Sequence, residues 1–379
     1  MASHAPCPLA SSLLLASSLL LVPGCPTGLA DDDDAATGVD VLWIIDSSNS
    51  MHQDQQALKT SYPAMLARVE AAPTPVDYRM GGTTTQSRPC DHDPSAFADC
   101  EDSHGNTGRI RGLGNSGQDT NAPPTFLGPA DPDLVTDFQA LVDMGIYGAT
   151  EEYGLFVLTQ SICASLELPH ASDFTDWGTD TPYDCAGANW DLGDPLADFC
   201  RCLPPEAAGY NVDAGGARFL EGQGTLMVVI VSDEGDFTPM MGAQAWPWDV
   251  SGCDLSRAGS PWPSEIQTNC AADPVALCLN YCKLDLFLQF FDALEQQVVI
   301  SVLGPGAALT PDGPYAGLVD LFCNDQNSTT AMIEFYLWAA YLTGGIYAPL
   351  SQEDGACLED AEMEAIMEDL GDLLVGLGG

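Results

Sequence analysis

One stretch constrains this chain more than any other: VDVLWIIDSSNS, residues 39–50. Val39 to Ile45 is an apolar run rich in β-branched and aromatic side chains, the composition of a buried strand. It ends abruptly in Asp46, Ser47, Ser48, Asn49 and Ser50, and a Gln-, Ala- and Leu-rich helical segment follows from about Gln53 to Glu70, with Pro63 predicting a kink or a late helix start. Asp46, Ser48 and Ser50 therefore fall where a buried strand turns into a helix, and open α/β sheets bind their ligands there. Oxygen-only groups of this kind suit a hard cation such as Mg²⁺. The same residues also serve as a helix N-cap with local side-chain bonds.

Charge excludes several functions. Among 379 residues, 10 Lys and Arg stand against 55 Asp and Glu, a formal charge of -45. No basic patch for nucleic acid can be assembled from so few cations, and attraction to anionic lipid is excluded for the same reason.

The N-terminus reads as an export leader, residues 1–24. Leu9 to Val22 has the length of a signal-peptide apolar segment and is short for a membrane span. Leu21-Val22-Pro23-Gly24-Cys25 resembles a bacterial lipobox, which implies cleavage before Cys25 and its lipidation. The leader has no Lys or Arg, a departure from that pattern. Ordinary cleavage near Ala30 and free secretion is the alternative. Residues 25–38, with four successive Asp, read as an acidic tether.

Cysteine usage agrees with export. Setting aside Cys7 in the leader and Cys25, twelve remain: Cys90, Cys100, Cys163, Cys185, Cys200, Cys202, Cys253, Cys270, Cys278, Cys282, Cys323 and Cys357. An exported chain with an even, high number of thiols is expected to hold disulfides. Cys90, His92, Cys100 and His104 have the residue types of a zinc site, but their spacing matches no ribbon or finger.

Further along, Val76 to Thr85 reads as a second strand and Asp131 to Met144 as a helix with Leu134, Phe138, Leu141 and Val142 on one face. Gly148-Ala149-Thr150 leads into a helix from about Glu151 to Leu166. Gly224 to Val231, GTLMVVIV, has the continuous apolar character of a central parallel strand and ends in Ser232-Asp233-Glu234-Gly235-Asp236. Another helix (280–297), a strand (298–303), a helix (327–342), a short last strand near Ile346 and a closing helix (358–377) follow. Three Gly-, Pro- and Cys-bearing stretches, about 86–148, 167–215 and 237–280, read as insertions. The Trp residues of the third, Trp246, Trp248 and Trp262, read as anchors of a separate small core.

Asp46-x-Ser48-x-Ser50, Thr150 at a helix start, and Asp233 within VIVSDEGDFT together resemble the three motifs of a von Willebrand factor A domain. VDYRMGGTTT and the tract Leu342-Thr343-Gly344-Gly345 resemble further stretches of bacterial relatives. The resemblance covers about residues 39–379. It implies a doubly wound, mostly parallel Rossmann-like α/β sheet flanked by helices, interrupted by three disulfide-bearing insertions. It also implies a metal-ion-dependent adhesion site. The ion (Mg²⁺, or Mn²⁺ or Ca²⁺) is expected on Ser48, Ser50 and Thr150, with Asp46 and Asp233 acting mostly through water. Asn49 replaces the family's commoner Gly; Asn tolerates left-handed backbone.

The expected function is binding, not catalysis. An ion with few direct carboxylates accepts an acidic side chain from an unknown protein or other surface ligand. The expected location is the bacterial cell envelope, lipid-anchored, in the outer membrane. The alternatives are an extracytoplasmic metal-dependent hydrolase using His52, Asp233 and Glu234, and a metal-free scaffold that binds through its insertions.

Overall fold

The computed structural model describes residues 38–85, 108, 110–113, 123–145, 153–166, 211–220, 224–236, 254–257, 260–272, 279–294, 296–309, 318–321, 330–350 and 358–379. The leader, Cys25 and the acidic tether up to residue 37 lie outside them, as does much of each expected insertion.

Five parallel strands form the central sheet in the order β2-β1-β3-β4-β7. These are β1 (Val39–Ile45), β2 (Tyr78–Thr84), β3 (Thr225–Val231), β4 (Gln297–Gly304) and β7 (Tyr347–Pro349). A separate antiparallel pair, β5 (Gly306–Leu309) and β6 (Leu318–Leu321), was not expected from the sequence. The helices are α1 (His52–Glu70), α2 (Leu134–Leu141), α3 (Gly154–Leu166), α4 (Ser264–Ala272), α5 (Leu279–Asp292), α6 (Thr330–Thr343) and α7 (Asp360–Gly378).

β1 is apolar at nearly every position because both of its faces are covered. Val41, Trp43 and Ile45 face a core built with α1, α2 and α7, whereas Leu42 and Ile44 face one built with α3, α4, α5 and α6. The two-residue period of a strand divides one run between two cores. The chain winds from β1 through α1 to β2 on one side, then returns so that β3 pairs with the other side of β1. That reversal leaves a crevice at the C-terminal ends of β1 and β3.

Three expectations need correction. α1 starts at His52 and continues through Pro63, which is exposed, so the late start is not what forms. Proline removes the N–H that would bond the carbonyl four residues back; here the Gln139 side chain of α2 donates to that Lys59 carbonyl at 3.1 Å. The segment expected as a first insertion is also partly core. Phe138 of α2 stacks on Tyr62 at 3.6 Å between ring centres and meets Trp43 edge-on at 5.1 Å. Likewise Trp262 belongs to the main core, packed on Trp338 and Tyr281, rather than to a separate small one; Trp246 and Trp248 lie outside the described residues.

Cys163 on α3, Cys270 on α4 and Cys282 on α5 are buried in the same core and are disulfide-bonded. The other nine expected disulfide cysteines lie outside the described residues. Among the described residues, no helix is long and apolar enough to cross a membrane. Opposite α3, α7 lies close along α1 because Gly371 has no side chain; a Cβ there would sit 2.8 Å from the Met65 carbonyl oxygen.

Phe138→Ala is expected to lower the unfolding free energy by about 3–5 kcal/mol, the cost of a large buried aromatic truncation. Urea denaturation of the two proteins measures it; a loss below 1 kcal/mol would place Phe138 outside the cooperative core.

Candidate functional site

The parallel register builds the site. Val39 to Ile45 pairs residue by residue with Thr225 to Val231, and the ladder continues one step as the Asp46 N–H donates to the Val231 carbonyl at 2.8 Å. The next residue of each strand, Asp46 and Ser232, therefore stand side by side, and the Ser232 hydroxyl donates to Asp46 Oδ2 at 2.9 Å. The other carboxylate oxygen, Asp46 Oδ1, accepts the Ser48 N–H at 2.6 Å. This bond folds the turn back over the strand end. Asp46 is fully buried and Ser48 nearly so.

That turn presents two hydroxyls. Ser48 Oγ and Ser50 Oγ are 2.8 Å apart, and Ser50 Oγ donates to Asp233 Oδ1 at 3.2 Å. Asp46, Ser48, Ser50 and Asp233, expected from sequence to act together, are thus one constellation drawn from two strand ends. Thr150, the remaining expected ligand, lies outside the described residues. Ser48 stands at the N-cap of the short 3-10 turn Asn49–Met51 in extended conformation; its side chain makes no capping bond, and the local bonds are those of the Ser48 N–H to Asp46 and of Ser48 with Ser50.

Negative charge is concentrated here. Asp233 and Asp54, the latter on the first turn of α1, are 5% and 4% exposed, and Asp233 Oδ2 and Asp54 Oδ2 accept no hydrogen bond. Burial, then repulsion from Asp46, pushes the Asp54 carboxyl up to about 7. The Asp233 carboxyl is raised by the same two causes in the same order, with Asp54 adding to them and the Ser50 bond opposing. Buried carboxylates with orphaned oxygens either hold a proton or face a cation.

Sequence reasoning did not single out several supporting residues. Gln55, 2% exposed, donates from Nε2 to the Asp46 carbonyl at 2.8 Å and to the Gly145 carbonyl at 2.9 Å. The thioether of Met51 accepts the Asp233 N–H at 3.2 Å. Asp236, at the end of the stretch after β3, accepts the Leu155 N–H at 3.0 Å and so satisfies an otherwise open donor in the first turn of α3. The Tyr153 N–H, just before α3, donates to the Thr85 carbonyl beyond β2. Asp54, Gln55 and Met51 carried a readable signal: polar or sulfur-bearing residues one turn past D-x-S-x-S, on a helix start. Asp236 carried none, because its partner is 81 residues away. His52 is exposed at the start of α1, whereas Asp233 and Glu234 are buried.

These residues fit a divalent cation of the harder kind. Among the described residues, no group of three or more His, Cys, Asp or Glu side chains comes together as a metal centre. What comes together is a hydroxyl pair backed by carboxylates, one with an orphaned buried oxygen. Such a donor set suits Mg²⁺, which keeps waters and takes few direct carboxylates.

No family model matches the chain, and none of the curated proteins matches it. Among solved structures, the pilus adhesin SpaC from Lactobacillus rhamnosus GG, in its open conformation, aligns over 90% of this chain with 11% identity and a TM-score of 0.33. The chain spans 30% of that adhesin's length. A likeness of that order says nothing about the function of this chain.

The raised carboxyls set a pH dependence. A carboxyl whose folded pKa lies above its unfolded value of about 3.9 makes the folded state bind more protons, so stability falls as pH rises between the two values. In EDTA, Asp54→Asn is expected to match wild type near pH 4 and to gain stability relative to it as pH rises to about 7, then level. Urea midpoints from pH 4 to 8 measure this. A constant offset between the two proteins would mean that Asp54 titrates normally.

Proposed function

We propose that this chain is an exported, lipid-anchored cell-envelope protein of von Willebrand A type. It binds an acidic group on a protein or other surface ligand through a divalent cation. The reading rests on one observation: the Ser48–Ser50 hydroxyl pair is backed by buried Asp46 and Asp233, with Asp233 Oδ2 unpartnered.

Ser48 and Ser50 hold the ion through their hydroxyls, Thr150 supplies a third oxygen, and Asp46 and Asp233 act from behind through water. Mg²⁺ is the expected ion, with Mn²⁺ and Ca²⁺ as substitutes. When bound, the ion supplies an electrophilic site for an external carboxylate. The chain's own residues do the rest. Asp46 is locked by Ser232 and the Ser48 N–H, which orients the turn. Buried Asp46 and Asp233 would offset part of a bound ion's charge. The site so arranged serves binding, with Ser50 held on Asp233 and Ser232 on Asp46. Cys25 carries the lipid, the acidic tether holds the domain off an outer-membrane surface, and disulfides staple the insertions. Nucleic acid is not a partner.

Thermal unfolding in EDTA and in Mg²⁺, Mn²⁺ or Ca²⁺, for wild type and Ser48→Ala, tests the site. A ligand at 1,000 times its dissociation constant stabilises by about 4 kcal/mol. A metal-dependent rise in Tm that disappears in Ser48→Ala is expected. A rise of the same size in the mutant would place the ion elsewhere among the carboxylates.

A further inference from the structure

Met51 and Gln55 are four residues apart, which puts them on one side of the helix start. Both are buried, at 0% and 2% exposure. Each grips a different neighbour of the site. Gln55 spends both of its amide hydrogens on backbone carbonyls, one of Asp46 and one of Gly145. Gly145 has φ +77, so its carbonyl is presented by backbone that a side chain would strain. The Met51 sulfur takes the N–H of Asp233, the residue whose carboxylate receives Ser50. Three chain segments that are far apart in sequence, after β1, before α3 and after β3, are therefore fastened to one helical turn. Neither side chain carries a carboxylate or hydroxyl oxygen like those gathered at the site. Their bonds go to backbone groups.

We propose that Met51 and Gln55 are positioning residues that set divalent-ion affinity by holding the strand-end segments in register. The inference rests on the metal-binding reading above. Removing the Gln55 donor leaves the Asp46 and Gly145 carbonyls without that bond and frees the two segments to separate. Removing the Met51 acceptor unpins Asp233. Replacing residues that orient ligands costs about 10–100-fold in metal affinity.

Mn²⁺ titration of the full chain, read by the electron paramagnetic resonance of free ion, tests this in wild type, Gln55→Leu, Gln55→Glu and Met51→Leu. Leu370→Ala serves as a control, because Leu370 is buried next to Gly371, where α7 packs on Met65 in the later half of α1. The expected result is a 10–100-fold weaker dissociation constant in Gln55→Leu and Met51→Leu. Gln55→Glu should not rescue, since it keeps size but replaces the donor with an acceptor. Leu370→Ala should lower Tm and leave affinity unchanged. Wild-type affinity in both Leu variants, or an equal loss in Leu370→Ala, overturns the positioning role while leaving the metal site standing. Absence of Mn²⁺ binding in wild type overturns the metal site itself.

Discussion

The parallel pairing of β1 with β3 is the constraint on which the rest of the molecule depends. Seven residues of each strand match in register, and that register alone brings Asp46 beside Ser232 and Ser50 within reach of Asp233. A slip of one residue would send every side chain of β1 to the opposite face. The two cores resist this, since Trp43 has a fitted place against Phe138 on one face and Leu42 and Ile44 have theirs on the other. Packing of the cores and placement of the site are thus one problem with one solution.

The site also carries a cost that the cores must offset. Asp46, Asp54 and Asp233 are all buried near one another, and two of them hold oxygens with no hydrogen-bond partner. Repulsion among buried carboxylates destabilises the fold and favours whatever positive charge can enter. Stored repulsion of this kind is how a site gains affinity for a cation without many direct charged ligands. The overall charge of -45 works in the same direction at longer range, by raising the local concentration of cations.

Around the carboxylates lies a layer of bonds to backbone. Gln55, Met51 and Asp236 each reach from one segment to the main chain of another. Gln139 does so away from the site, at the carbonyl that Pro63 leaves open. Long intervening stretches separate the segments joined, yet few side chains are needed to tie them at the sheet edge.

Much of this was legible in order of strength of local pattern. β1 and β3 could be read almost to the residue, because a continuous apolar run ending in acidic and hydroxyl residues has few other interpretations. Asp46, Ser48, Ser50 and Asp233 could be placed together from their strand-end positions. What the chain by itself determined was therefore the period of its strands, the placing of carboxylates and hydroxyls at their ends, and the excess of negative charge. Tertiary structure alone decided the rest. It drew α2 out of an apparent insertion into the core, kept α1 continuous through Pro63, and made Asp236 a fastener. The physical reason is the same in each case. A helix, a cap or a carbonyl is satisfied by whatever group the fold brings near, and that group leaves no mark in the local sequence when it comes from eighty residues away.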